Sequence, residues 1–430
     1  MFNANINKNK QNGKTMRYQS FTEISMRYLL TKNERFIIKK DLTKDLDKII
    51  CDANLIAHEL FRGGINIRSM DINSKKVYLI GDLSEKLVLR KCALNLRQGS
   101  NTILRHRNII IEEIIPHLRD GTDYKVYRLD IKSFFESINI SDLIIKLEQL
   151  PDITRHTKNI VKYFLNSINY FLPQGLPRGI EISPILSEIY LNDFDLSIRS
   201  DHEVFYYSRF VDDIIIVTST KYEESIFIRK IQANLPIGLK LNKEKQKIIH
   251  LGKKEGQETI YKDSFEFLGY KFNINKTEET KKEKTVFRTV SIDFSKKRLS
   301  KLKTRISRAY YAYFKYGDFN LLLDRITFLT TNRDQKSKSK SRDGQADTKI
   351  CTGIYYSNCK VDSNSQDLRE LDFFLKKITL STPIMKKPIY TLSRDQKNKL
   401  LKRSFVRGFN EKIYRRFNYN RAEEILRVWL

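Results

Sequence analysis

An α+β fold follows from two features of this sequence. Residues 125–275 alternate short runs of β-prone residues with helix-length segments. From about residue 281 the pattern turns helical, basic and aromatic. A chain of 430 residues can bury more than one core, so two to three domains are expected.

Taken in order, residues 1–20 are polar and read as a flexible N-terminal segment. Residues 21–125 mix helix-length segments with short strands, and Ile109-Ile110-Ile111 with Ile114-Ile115 marks a buried helix or strand pair. A strand then runs through Val126-Tyr127-Arg128-Leu129 to Asp130, after which Ser133 and Glu136 have capping-box spacing for a helix start. Further on, Tyr206 to Phe210 and Ile214 to Val217 are two β-prone runs around Val211-Asp212-Asp213, which predicts a hairpin with both carboxylates at its tip. Asp293 or Ser295 is placed to cap a helix in which Leu299, Leu302, Ile306, Ala309 and Tyr313 share one face. The opposite face carries Lys297, Lys301, Arg305 and Arg308. Low-complexity Lys/Ser sequence around 333–348 reads as a flexible loop.

Charge narrows the partners. The chain holds 80 Lys+Arg against 51 Asp+Glu, a net +29, and such an excess is self-repelling unless it meets a polyanion. Residues 281–310 and 385–416 each carry 11 basic and 2 acidic residues, interleaved with Tyr and Phe, which favours a nucleic-acid-gripping surface over a solvated face. No apolar run approaches the roughly 18–20 residues of a membrane span, and the first residues lack the apolar core of a signal peptide. Cys51, Cys92, Cys351 and Cys359 show no Cys-x-x-Cys spacing, against a zinc site or a disulfide framework. A cytoplasmic protein with no membrane partner is expected.

An isolated Asp-Asp is usually a solvated turn. Asp130, at the end of a strand, changes that reading. If the two strands are neighbours in one sheet, Asp130, Asp212 and Asp213 converge at one edge and raise each other's pKa, which calls for bound cations. Hard oxygen ligands make Mg²⁺ the expected ion, with Mn²⁺ as the alternative, and two such ions clamp the attacking and leaving oxygens of a phosphoryl displacement. Nucleotidyl transfer on a basic protein is the chemistry this pattern points to.

At this point the sequence resembles the reverse transcriptase family over roughly residues 100–275. Asp130 to Phe135 looks like its first palm motif, and Phe210-Val211-Asp212-Asp213 like its catalytic hairpin, usually Tyr-x-Asp-Asp. Gly238 to Lys245 resembles the following motif, and Phe265 to Tyr270 the primer-grip hairpin. The resemblance implies a right-hand polymerase: fingers at 21–125, a palm with an antiparallel sheet at 126–278 (the two interleaved around 140–175), and a basic helical thumb with a C-terminal extension at 279–430. It also implies roles. Asp130, Asp212 and the Ile131 carbonyl would hold two Mg²⁺ ions, Asp213 would support the hairpin, and Lys245 would face the departing pyrophosphate. Phe135 falls where the family keeps an aromatic gate against a ribose 2′-hydroxyl. Phe267, Leu268, Gly269 and Tyr270 would form the primer grip, and Arg107 would touch the incoming triphosphate.

One motif departs from the family. Its Pro-Gln-Gly-x-x-x-Ser-Pro is matched by Pro177-Arg178-Gly179-Ile180-Glu181-Ile182-Ser183-Pro184, with Arg in place of Gln. Leu172-Pro173-Gln174-Gly175 just upstream lacks a Ser-Pro at the right distance. Arg178 would then meet the templating base pair or a phosphate, and Gly179 would admit the nucleotide close to the backbone.

Arg325 to Thr330 and Cys351 to Tyr356 look similar to bacterial reverse transcriptases of anti-phage defence, with retron or retroelement enzymes as neighbours. The implied activity is RNA-directed DNA synthesis from dNTPs, copying a dedicated non-coding RNA into DNA, beside a second reverse transcriptase subunit or a second copy of the chain. The rival from another class is an RNA-binding scaffold with an inactive polymerase fold. Phe210, where the family usually has Tyr, implies a change in primer handling.

Overall fold

The computed structural model describes residues 19–31, 34, 35, 37, 38, 45–72, 75–100, 102, 105–168, 172, 174–252, 262–276, 288–335, 350–381 and 388–429. Most of the expected N-terminal segment (1–18) and of the expected loop (336–349) lies outside the described residues. The α+β expectation is met. In chain order the described elements begin with α1 (Glu23–Tyr28), α2 (Leu46–Glu59), β1 (Ile67–Ile72), β2 (Lys75–Ile80), α3 (Leu83–Gly99), α4 (Arg107–Arg119) and β3 (Tyr124–Asp130). There follow α5 (Ile140–Glu148), α6 (Arg155–Ile168), α7 (Ser183–Arg199), β4 (Val204–Phe210), β5 (Asp213–Ser219), α8 (Glu224–Asn234) and β6 (Lys247–Leu251). Beyond these lie β7 (Lys262–Phe267), β8 (Tyr270–Lys276), β9 (Arg288–Phe294), α9 (Lys296–Tyr316), α10 (Phe319–Thr330), β10 (Asn332–Gln335) and β11 (Ile350–Gly353). The last elements are α11 (Gln366–Leu380), α12 (Arg394–Leu401), α13 (Phe405–Asn410) and α14 (Tyr419–Arg427).

Two compact units emerge, one of Met1–His106 with Asp123–His250, the other of Arg107–Thr122 with Leu251–Leu430. The first is organised around a sheet of order β4-β5-β3-β6. β5 reads Ile214-Ile215-Ile216-Val217, all at most 1% exposed, because both of its faces are covered and a central strand has no solvent side to keep polar. β3 and β4 flank it antiparallel, in a register that sets Asp130 opposite Asp213. α7 packs against β4. It starts with Pro184 in its first turn, where a missing N–H costs nothing, and the Ser183 hydroxyl donates to the Pro177 carbonyl at 2.7 Å.

In the second unit β7, β8 and β9 form an antiparallel meander. β7 and β8 are joined by the two-residue turn Leu268-Gly269, in which both residues have positive φ (48° and 82°) as a type I′ hairpin requires. Ser295 caps α9, and Ile306, Ala309 and Tyr313 are buried as the periodicity predicts, with Leu299 and Leu302 partly so. Gly317 ends that helix in the left-handed conformation, φ 78°. Lys297, Lys301 and Arg308 are exposed, whereas the half-buried Arg305 guanidinium lies 5.4 Å from the centre of the Trp429 ring.

One local expectation fails. Ser133 and Glu136 form no capping box: Ser133 sits at φ 46°, and Phe135–Ser137 is a single 3₁₀ turn without a side-chain cap. The Glu136 carboxylate is taken instead by a partner 42 residues away, Arg178. The four cysteines are free, and no described helix is long and apolar enough to cross a membrane.

Candidate functional site

The site is built on the hairpin between β4 and β5. Phe210 pairs with Asp213, so the tip is Val211-Asp212 alone. This corrects the expectation of two carboxylates at the tip, since Asp213 is the first residue of β5. Val211 has φ 60°, a conformation costly for a β-branched residue. Two hydrogen bonds, one local and one from the neighbouring strand, hold it there. Arg209 Nη1 donates to the Val211 carbonyl at 3.0 Å, and the Ile131 N–H donates to the Asp212 carbonyl at 3.0 Å.

Three carboxylates share this edge. Asp130 is buried and already partnered: Lys245 Nζ stands 2.9 Å from its Oδ1, and Asn242 donates its side-chain amide to Oδ2 at 3.1 Å and its backbone N–H to the Asp130 carbonyl at 2.7 Å. Lys245 reaches this position on a 3₁₀ turn capped by Asn242, and its pKa is raised, foremost by the bond to Asp130. The other two are under-compensated. Burial and then the Asp212 charge push Asp213 up to about 6, and the nearest guanidinium, on Arg128, is 3.9 Å away. Asp212 is raised as well, by burial and by the neighbouring Asp130.

This donor set suits a hard divalent cation. It offers only oxygen: the Asp130 and Asp212 carboxylates and the Ile131 carbonyl, on which no hydrogen bond among the described residues ends. Among the described residues no three His, Cys, Asp or Glu side chains close on one metal position. These oxygens could supply only part of a coordination shell, which phosphate oxygens of a substrate would have to complete.

The nucleotide side of the expected site is assembled from distant segments. Phe135 lies half-buried under the Arg178 guanidinium, 5.3 Å from its ring centre. Arg178 forks onto Glu136, with Nη2 to Oε2 at 2.9 Å, so its charge already faces a carboxylate. Its pKa is raised by Glu136 and, after burial, by charges that include Asp212. Both glycines of this region serve close approaches. A Cβ on Gly175 would lie 2.3 Å from the Phe135 carbonyl, and one on Gly179 would lie 2.7 Å from the Tyr78 carbonyl. Tyr78 in turn donates its N–H to the Arg178 carbonyl at 2.7 Å.

A buried network beneath the hairpin was not read from the sequence. Arg209 forks onto Glu188 and Asp195, both of α7, with contacts of 2.7 Å to each, and the Tyr207 hydroxyl donates to Asp195 at 2.6 Å. Burial opposes the Arg209 charge, yet Asp195 and Glu188 outweigh it and hold the guanidinium protonated. The available signal was a single Arg in a β-prone strand together with two acids seven residues apart on an otherwise apolar helix face.

The remaining expected residues fall in the second unit. Phe267 and Tyr270 are buried at 1% and 0%, and Leu268 and Gly269 form the turn between them. Arg107, expected at a triphosphate, lies 5.1 Å from the Tyr270 ring centre and donates to the Ser357 carbonyl at 2.9 Å.

Residues 86–272 match the family described as reverse transcriptase (RNA-dependent DNA polymerase). Among solved structures, the chain is similar to telomerase from Candida tropicalis bound to a fragment of telomeric RNA, at 14% identity and TM-score 0.35, over 49% of this chain and 43% of that one. It is also similar to the apo telomerase from the same organism truncated of its C-terminal domain, at 13% identity and TM-score 0.34, over 51% and 57% of the two chains. The chain thus spans less than two thirds of either. No curated protein sequence matches it.

Proposed function

We propose that this chain, which carries a reverse transcriptase domain, is an RNA-directed DNA polymerase that joins deoxynucleotides by nucleotidyl transfer. One observation carries the reading: Asp130 and Asp213 face each other across neighbouring strands, Asp212 sits at the adjoining tip, and the last two hold raised pKa values with no full counter-charge. When bound, Mg²⁺ ions would supply charge neutralisation for the attacking and leaving oxygens. Asp130, Asp212 and the Ile131 carbonyl would hold them, and Asp213 would keep the hairpin in register. Lys245 would deliver a proton or a positive charge to a leaving pyrophosphate. Phe135, fixed from above by Arg178, would exclude a ribose 2′-hydroxyl, and Gly179 would admit the nucleotide close to the backbone. Phe267 to Tyr270 would support the primer end, and Lys297, Lys301, Arg305 and Arg308 would hold the nucleic acid. Fingers at 21–125, a palm at 126–278 and a thumb at 279–430 remain the proposed division of labour.

The finer reading is a bacterial, cytoplasmic enzyme of anti-phage defence that copies a dedicated non-coding RNA, with a second subunit or a second copy as partner. A retron-type enzyme or an inactive RNA-binding scaffold is the alternative. Incubation of the purified chain and its co-purified nucleic acid with Mg²⁺ and labelled dNTPs tests this. Incorporation abolished by Asp212→Asn is expected, and Phe135→Ala should raise incorporation of rNTPs. Tight RNA binding by the wild type with no incorporation would establish the scaffold instead.

A further inference from the structure

Phe135 is held by backbone, by a ring and by a cation, and only the cation sits on a flexible stem. The Phe135 carbonyl accepts the Leu176 N–H at 2.7 Å. The Gly175 backbone packs so close that a Cβ there would lie 2.3 Å from the same oxygen. The buried Phe134 ring is 5.3 Å away, tilted by 52°. The cation is Arg178, whose guanidinium is 5.3 Å from the Phe135 ring centre. The Arg178 backbone is fixed, since its carbonyl accepts the Tyr78 N–H at 2.7 Å. The side chain beyond is long and flexible, and a cation–π contact at a part-exposed site is weak by itself. What settles the guanidinium is Glu136. Arg178 Nε donates to Oε1 and Nη2 donates to Oε2 at 2.9 Å, a fork that sets both the position and the plane of the group.

The fork stands where this chain departs from the family pattern, with Arg178 in place of Gln. A Gln has neither a charge to set against a carboxylate nor the rigid guanidinium fork, so Arg at 178 and Glu at 136 belong together. The charges agree. Burial pushes the Glu136 carboxyl up, yet Arg178 outweighs it and holds the group below the usual carboxylate range. The same bond is the foremost cause of the raised Arg178 pKa. Asp212 also acts on the Arg178 charge, so an Arg178 released from Glu136 has another carboxylate to turn to. We infer that Glu136 is a positioning residue for sugar selection: its fork holds Arg178 over Phe135, and the ring so pinned excludes a ribose 2′-hydroxyl. This rests on the proposed polymerase and on Phe135 as its gate, and adds the residue that keeps the gate in place.

The test uses the full chain on a primed RNA template and measures kcat/KM for insertion of one dGTP or one rGTP, with their ratio as the readout. F135A sets the scale of a lost gate. In E136A the rGTP value should rise and the ratio fall about tenfold. A damaged fold would lower both values and leave their ratio, so a gain with rGTP is a signature that structural loss does not give. E136Q keeps one acceptor oxygen on a side chain of the same length and should stand between E136A and the wild type. Because Glu136 acts through Arg178, E136A/R178A should be no less selective than R178A alone. A wild-type ratio in E136A beside a relaxed F135A overturns the role of Glu136, as do rates that fall together at constant ratio. Additive losses from E136A and R178A overturn its action through Arg178. Two other failures are distinguishable from these. A wild-type ratio in F135A removes the gate itself, and absence of any incorporation by the wild type refutes the polymerase; the inference falls with either.

Discussion

Replacing Arg209 by Met probes whether the catalytic hairpin is held from beneath. The Arg209 side chain is 1% exposed, and its two partners, Glu188 and Asp195, are 10% and 12% exposed. Met fills most of the volume but leaves both carboxylates buried without a counter-charge. Breaking a buried ion pair in this way costs about 3–5 kcal/mol. For a unit of this size each kcal/mol moves the melting midpoint by about 2–4 °C, so a drop of about 6–20 °C is expected. The bond from Nη1 to the Val211 carbonyl, 3.0 Å long, is lost as well. Val211 then has less to hold it at φ 60°, and Asp212 loses its fixed place. Thermal melting and dNTP incorporation read the two effects separately. The triple change R209M/E188Q/D195N removes every charge together and should recover most of the stability, because the stranded carboxylates cause the penalty. Incorporation should stay low in the triple variant, since no donor returns to Val211. A melting shift of R209M below about 2 °C, or a triple variant that regains full activity, would refute the reasoning.

Other expectations follow from the same geometry. Gly179→Ala places a Cβ 2.6 Å from Val77 Cγ1 and 2.7 Å from the Tyr78 carbonyl at φ 94°. A stability loss of about 1–3 kcal/mol and a higher KM for dNTP are expected by denaturant unfolding and steady-state kinetics, and an unchanged KM would show that this turn does not border the nucleotide. Lys245→Met removes the cation on Asp130 and is expected to lower kcat about 100-fold with KM little changed, as for loss of a general acid; wild-type kcat would remove Lys245 from the chemistry. Asp367, in the first turn of α11, is raised from 3.8 to about 6 by burial and by Asp293, although it accepts the Phe294 N–H. The folded state therefore holds this proton more tightly than the unfolded chain, so stability falls as pH rises from about 4 to about 6 and stays reduced above that range. Asp367→Asn keeps the acceptor and lacks the charge; after discounting for solvent it should gain about 1 kcal/mol at neutral pH and nothing near pH 4. A gain equal at both pH values would contradict that origin.

Much of the architecture could be read from local pattern. Runs of β-prone residues placed β3, β4 and β5, helical period placed the buried face of α9, and a capping Ser opened that helix where expected. These signals are short in range. A strand, a cap or a two-residue turn is set by residues within one turn or one pleat of each other. The charge pairings are not local, and there the sequence misled or was silent. Glu136 had the spacing of a capping box, yet Arg178 from 42 residues away binds its carboxylate more strongly than a backbone N–H would. Arg107, expected at a triphosphate, lies over Tyr270 beside Arg298, a neighbourhood that no local pattern announces. Arg209, Glu188 and Asp195 carry no local sign of their pairing, which arises only where α7 packs on β4.

The sequence by itself determined which residues this protein has available: three aspartates in two strand-end settings, a lysine in the following turn, and a basic amphipathic helix. Tertiary structure alone decided their relations. Register between β3 and β5 brought Asp130 opposite Asp213, and the 3₁₀ turn at Lys243–Lys245 carried an ammonium onto Asp130 across 115 residues. The reason is physical. Burial makes a charge costly without a partner, and which partner is within reach depends on strand register and helix packing that no local pattern encodes.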